Sequence, residues 1–142
     1  MKVIAYYAKR WRIEDWHRIL KTCCRVEEPA HQDAECLKRL LAINMVIAWR
    51  IHLMTLLGRE VPDLNAETLF SDLEIRVMRL FAKNYHLPPP RCLGEAILLV
   101  AKLGGYLNRG NDPPPGAEVL WRGTTRLTQL CEGVALAEAN LS

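Results

Sequence analysis

The sequence predicts an all-α fold, a compact bundle of about five helices with a polar-striped helix at its N-terminus. Three observations carry that expectation. No run of alternating apolar and polar residues is long enough for a strand. Apolar residues recur instead at spacings of three and four over five stretches. Prolines and glycines gather between those stretches, where helix is weakened or excluded. A chain of 142 residues is one domain by length, able to bury roughly 68–70% of its unfolded surface.

The first helix is expected from Lys2 to about Thr22, with Ile13, Trp16 and Leu20 as an apolar face behind its polar stripe. Pro29 and its polar neighbours break the pattern. The second, from Gln32 to Leu57, is the longest apolar element, with Leu37, Leu40, Leu41, Met45, Ala48, Ile51 and Met54 in helical register and Gly58 as its stop. It reads as the central core helix, with Trp49 and the methionines as core filler. A loop containing Pro62 leads to Ser71-Asp72-Leu73-Glu74, the serine and glutamate spacing of a capping box. Leu73, Val77, Leu80 and Phe81 then carry a third helix to about Asn84.

Pro88-Pro89-Pro90 excludes helix, and a fourth begins at Arg91 and runs to Leu103, where Gly104-Gly105 weakens its end. Asn108 to Gly116 (NRGNDPPPG) is a loop, three prolines between turn formers. The last helix runs from Ala117 to about Ala139, with Leu120, Leu127, Leu130, Val134 and Ala137 along one side. Gly123, Gly133 and Ala137 are its places of low bulk. Gly133 and Ala137 are four apart and share a face beside Leu130 and Val134. Two helix backbones can approach closely over such a patch, as small-residue faces do between membrane helices. The competing reading packs Gly133 against the core helix of its own chain.

The net charge of +3 is unevenly spread. Residues 1–25 hold Lys2, Lys9, Arg10, Arg12, Arg18, Lys21 and Arg25 against Glu14 and Asp15, a net +5, and the remainder is net −2. A basic amino end suits a polyanion-facing segment, although a solvated helix face has the same composition. Five cysteines without a C-x-x-C pair argue against a disulfide framework and for buried, reduced thiols. Cys23 and Cys24 near His17 and His31 make only a weak case for zinc. Met1 to Ala5 is too short for the apolar core of a signal peptide. The apolar stretch from Leu37 to Leu57 is interrupted by Lys38, Arg39, Arg50 and His52, so no membrane span is expected. These points lead to an expected cytoplasmic location.

The amino end also carries the pattern Y-x(2)-R-x(3)-E-x(6)-K, from Tyr7 through Arg10 and Glu14 to Lys21. On a helix, Tyr7, Arg10, Glu14, His17 and Lys21 fall within a stripe roughly 80° wide. One carboxylate is flanked by two cations and a phenol, an arrangement suited to holding a divalent metal beside nucleic-acid phosphates.

Tyr7, Arg10, Glu14 and Lys21 resemble, at the right intervals, the YREK signature of bacterial cut-and-paste transposases of the transposon Tn-five type, within the insertion-sequence-four-like DDE transposases. Arg25-Val26-Glu27-Glu28-Pro29 fits the same context. Downstream, Ala101-Lys102-Leu103-Gly104-Gly105-Tyr106 and Leu120-Trp121-Arg122-Gly123 resemble landmarks of that family's C-terminal dimerisation domain. The similarity covers nearly the entire chain. It implies that residues 1–28 end a catalytic region and that residues 29–142 form a helical dimerisation domain. It further implies that Glu14 is the third acid of a metal-binding Asp-Asp-Glu trio using Mg²⁺ or Mn²⁺. Tyr7, Arg10, Trp11, Lys21 and Arg25 would contact transposon-end DNA, and Leu130, Gly133, Val134 and Ala137 would lie in a homodimer interface.

The resemblance also sets a limit. In such enzymes the two aspartates and their RNase-H-like sheet lie well upstream of the YREK helix. One carboxylate cannot fix a pair of Mg²⁺ ions, which favour near-octahedral oxygen sites with several anionic ligands. This chain alone is therefore expected to be inactive, to need no cofactor and to take no small-molecule substrate. Cys23 stands where the family would have a small residue, often glycine. The expected function is a dimerisation domain within the synaptic complex, contributing contacts to DNA ends, with a location on the nucleoid. The alternative is a truncated, transposase-derived DNA-binding or inhibitory protein. A self-contained helical enzyme is disfavoured because His17, His31, His52 and His86 are scattered without a nucleophile–base spacing.

Overall fold

The computed structural model describes residues 2–24 and 33–141, with side chains from residue 10 onward in the first segment. Among the described residues there are five helices: α1 (Lys2–Thr22), α2 (Ala34–Glu60), α3 (Asp72–Asn84), α4 (Leu93–Leu103) and α5 (Ala117–Leu141). A single 3-10 turn spans Ala66–Thr68, and no strand occurs among the described residues. The fold is all-α, as expected. The chain divides into two units, Met1–Leu53 and Met54–Ser142, so α2 contributes to both.

In the first unit, α1 has the expected bounds. Among its described side chains the buried ones are Ile19 and Leu20, continued by Cys23 just past the helix. Trp16 is half-buried, and its indole Nε1 donates to the Met45 carbonyl at 3.4 Å. Cys24 Sγ donates to the Asn44 carbonyl at 3.6 Å, and burial pushes that thiol's pKa up. Ile13 departs from expectation, being 57% exposed. At 100° per residue it sits about 70° from the centre of the face formed by Trp16, Ile19, Leu20 and Cys23.

Helix α2 differs more. Of its expected core row, Ala48, Ile51 and Met54 are fully buried, whereas Leu37, Leu41 and Met45 are exposed. Trp49 is 54% exposed, not core filler. Periodicity identifies residues that share a face; it does not say whether anything covers that face. Gly58 does not stop the helix, which continues to Glu60. Its missing side chain instead admits Ile97, whose Cδ1 would lie 3.3 Å from a Cβ there. The helix ends before Pro62, which has no N–H to continue it. By length and composition α2 could cross a membrane, since its most apolar 18-residue window has a mean hydropathy of 1.7, and 22% of that window is buried. Lys38 and Arg39 fall near its start, leaving Arg50 as the charged interruption in the apolar stretch. Soluble core helices meet the same criteria.

In the second unit, α4 is the most buried helix, with Leu93, Ala96, Ile97, Leu99, Val100, Ala101 and Leu103 all inaccessible. It packs against α5, α3 and the 3-10 turn. Its first N–H groups are satisfied by loop carbonyls, Leu93 N to Leu64 O at 2.7 Å and Gly94 N to Pro62 O at 2.8 Å, which answers the requirement that helix-end donors find partners. The α3 capping box forms as the sequence predicts: Ser71 Oγ accepts from Glu74 N at 3.4 Å, and Glu74 Oε2 accepts from Ser71 N at 2.9 Å.

The two glycine landmarks meet where α4 and α5 cross. A Cβ on Gly123 would overlap the Val100 carbonyl oxygen, and one on Gly104 would overlap the Val119 carbonyl oxygen. The helix backbones therefore touch, a contact open only to glycine. Arg126 Nη1 donates to the Leu103 carbonyl at 3.0 Å, closing the C-terminal end of α4. Beyond it, Tyr106 Oη donates to the Pro113 carbonyl at 2.8 Å and Arg109 N to Asp112 Oδ2 at 2.7 Å, tying the proline loop to itself.

Candidate functional site

Two surfaces carry the residues singled out by the sequence. The first is the outer stripe of α1. Arg10, Glu14, His17 and Lys21 are all exposed, and their direction lies about 150° from the centre of the buried face. Arg10 Nε and Glu14 Oε1 are 3.8 Å apart, with both side chains more than half exposed. Such a pair contributes at most about 0.5 kcal/mol and exchanges readily for another partner. Arg18 and Asp15 form a second surface pair at 3.0 Å. Trp11 is 63% exposed, so this indole is not part of the core. Tyr7 lies in α1 by its backbone, but its side chain falls outside the described residues, as does Arg25 entirely. The expected boundary between residues 28 and 29 also lies outside them.

Among the described residues the donors do not gather into a divalent-metal site. Among the described residues no group of three His, Cys, Asp or Glu side chains could hold a metal ion. Glu14 offers one carboxylate, already beside the Arg10 guanidinium. Zinc at Cys23 and Cys24 finds no such cluster either, and His31 is outside the described residues. No cysteine forms a disulfide among the described residues, but only Cys23 and Cys131 are buried, and Cys36 is exposed. The expectation of uniformly buried thiols is corrected accordingly.

The second surface is the outer side of α5. Its buried residues, Leu120, Gly123, Leu127 and Cys131, follow the α4 contact, and from Glu132 onward no residue of α5 is buried. Gly133 faces open space, with nothing within 4 Å of a Cβ placed there. The reading that packs Gly133 against its own core is not what the structure shows. Leu130 is exposed, Val134 half-buried and Ala137 exposed, so the four residues named from the sequence lie along an accessible stripe.

Sequence reasoning did not mark what lies beside that stripe. Leu130 and Val134 form one wall of a groove of about 600 Å³ whose other wall is α3, through Val77, Leu80, Phe81 and Tyr85. The Phe81 and Tyr85 rings pack with centroids 4.4 Å apart and planes tilted by 35°. Arg76 on α3 and Glu138 on α5 are paired at 3.0 Å across the two helices. The signal was present in the spacing of Val77, Leu80, Phe81 and Tyr85, a second apolar row on α3 that starts at the buried Val77 and runs beside the buried Ile75, Met78 and Ala82.

The glycine crossing, the buried α4 and the exposed α5 all fall inside one matched region. The family model described as the Transposase Tn5 dimerisation domain matches residues 46–141. That match takes in the C-terminal part of α2 and all of α3, α4 and α5, and begins after α1.

Proposed function

Since the chain belongs to the Transposase Tn5 dimerisation domain family, we propose that α5 joins two copies of a bacterial DNA transposase in its synaptic complex. The observation that carries this reading is Gly133. A glycine inside a helix costs roughly 1 kcal/mol relative to alanine, and nothing among the described residues of its own chain requires the missing side chain. Close approach by a second α5 supplies the steric reason, with Leu130, Val134 and Ala137 around the crossing.

In the same proposal α1 ends the catalytic region, taken as residues 1–28, and residues 29–142 serve dimerisation. Arg10, Lys21, Tyr7 and Arg25 hold the DNA backbone at a transposon end, where phosphate contacts fix register without reading sequence. The exposed Trp11 is available to stack on an extruded base. Glu14 supplies one ligand for Mg²⁺ or Mn²⁺ only where two further carboxylates are brought to it. The 142-residue chain alone neither nicks nor joins DNA, takes no small-molecule substrate, and acts in the cytoplasm on nucleoid DNA.

Sedimentation equilibrium of the purified chain over a wide concentration range tests the central claim. A self-associating wild type that Gly133→Leu shifts toward monomer, with helical circular dichroism unchanged, supports it. A wild-type chain that stays monomeric even when concentrated overturns it.

A further inference from the structure

We propose that the surface around Arg126, where the ends of α3 and α4 meet the first turns of α5, binds single-stranded nucleic acid. Unpaired bases stack on Tyr85 and Trp121, and Arg122 and Arg126 hold the phosphates. The site is separate from the DNA contact assigned to α1 and does not rest on it.

Two concavities adjoin at this surface. One is the groove of about 600 Å³ between α3 and α5. The other, of about 280 Å³, lies at the end of α4 and is lined by Leu103, Gly104, Trp121, Arg122, Thr125 and Arg126. They share Leu103 and Arg126, so Arg126 lies at their junction. Each has an aromatic wall, Tyr85 in the first and Trp121 in the second. Tyr85 is 61% exposed, and Phe81 packs against its ring from one side, which holds the phenol in place while its outer surface stays open. Trp121 is half-buried.

Charge decides what the surface takes. Neither concavity is lined by an Asp or Glu. Arg122 is exposed and makes no hydrogen bond or ion pair among the described residues. Arg126 donates Nη1 to the Leu103 carbonyl at 3.0 Å, which orients the guanidinium and leaves its other donors for a ligand. The two arginines are one helical turn apart, where like charges repel, and a shared anion relieves that repulsion. The flanking carboxylates of α5, Glu118 and Glu132, line neither concavity and pair with neither arginine among the described residues. Guanidinium groups suit phosphate. Aromatic faces beside them favour a single strand over a duplex, because paired bases already stack on one another. Cations that track a backbone beside aromatic platforms hold single strands without reading sequence. An acidic peptide would use the arginines and leave the rings without flat partners.

The test is fluorescence anisotropy of the 142-residue chain with a labelled oligothymidylate of about 15 nucleotides and with a duplex of the same length, at several salt concentrations. Circular dichroism verifies the fold of each variant. The single strand should bind more tightly than the duplex. Tyr85→Ala should weaken single-strand binding about tenfold, and Tyr85→Phe should retain it. Arg122→Ala should weaken it and flatten its salt dependence by about 0.7, the single-strand value for one phosphate contact. Arg91→Ala, at an exposed cation outside both concavities, should leave the affinity unchanged. A chain carrying both Arg10→Ala and Lys21→Ala should keep its preference for the single strand. If that double variant loses single-strand binding while Tyr85→Ala and Arg122→Ala keep it, this site is overturned and the α1 contact stands. Binding that depends on Arg122 but not on Tyr85 overturns the stacking and with it the proposal. A duplex bound as tightly as the single strand, or an oligoglutamate of equal charge that competes as well as the oligothymidylate, overturns it too.

Discussion

Two glycines on one helix, ten residues apart, should respond to alanine with opposite signs. At Gly123 the new Cβ would overlap the Val100 carbonyl oxygen, lie 2.8 Å from its carbonyl carbon and 3.0 Å from Cγ1. Two of those three atoms are backbone, so no rotamer change relieves the contact and α4 must move away from α5. Against fixed backbone the cost falls in the upper part of the range typical of overpacking, about 2–3 kcal/mol, and separation also loosens Leu120 and Leu127, both fully buried. Helix propensity returns roughly 1 kcal/mol, leaving Gly123→Ala destabilised by about 1–2 kcal/mol. At Gly133 there is no neighbour to strike, so Gly133→Ala should stabilise the monomer by roughly 0.5–1 kcal/mol from propensity alone. Urea unfolding followed by circular dichroism, at a concentration where the chain is monomeric, reads both. With a slope of about 1–3 kcal/mol per molar urea, the Gly123 midpoint should fall by up to about 2 M and the Gly133 midpoint should rise by less than about 1 M. A Gly123→Ala variant as stable as wild type would refute the backbone contact between α4 and α5. A Gly133→Ala variant that loses stability as a monomer would refute the open surface.

Three further outcomes follow from particular side chains. Ser71→Ala removes an acceptor for Glu74 N at the start of α3 and should cost about 1 kcal/mol in urea unfolding, while Thr128→Ala, on the exposed side of α5, should cost less. His52 is buried, and burial holds its pKa below 6.5, with Asp15 opposing and Arg12 reinforcing the shift. The unfolded chain therefore binds the proton more readily, so this contribution to stability is present above the ordinary histidine range and is lost as pH falls through the lowered pKa. Wild type should lose more stability than His52→Leu on moving from about pH 7 to about pH 5, and parallel pH profiles would contradict that assignment. Finally, in a complete transposase carrying these residues, Arg10→Ala and Lys21→Ala should each weaken binding to transposon-end DNA and flatten its salt dependence by about one counterion. Unchanged affinity and slope in both variants, measured by gel shift at several salt concentrations, would remove α1 from the DNA contact.

Part of the local chemistry was legible in the sequence, although Gly58 does not stop α2 as its spacing suggested. Ser71 and Glu74 announce the cap of α3, Pro62 and Pro88-Pro89-Pro90 bound the helices they interrupt, and the row from Leu120 to Leu127 identifies the buried side of α5. Each depends on residues within a turn or two of one another, so spacing alone determines it. Spacing also placed Arg10, Glu14 and Lys21 on one stripe. Only the tertiary structure decided what faces what. Leu37, Met45 and Trp49 are as apolar as Ile51 and Met54, yet they are exposed, because burial is set by a covering partner and not by the residue itself. Gly58, Gly123 and Gly133 look alike as letters. One admits Ile97 and lets α2 continue, one brings two backbones into contact, and one faces open space. A glycine states that room is needed without stating for which neighbour, and that neighbour is fixed by packing between segments far apart in the chain.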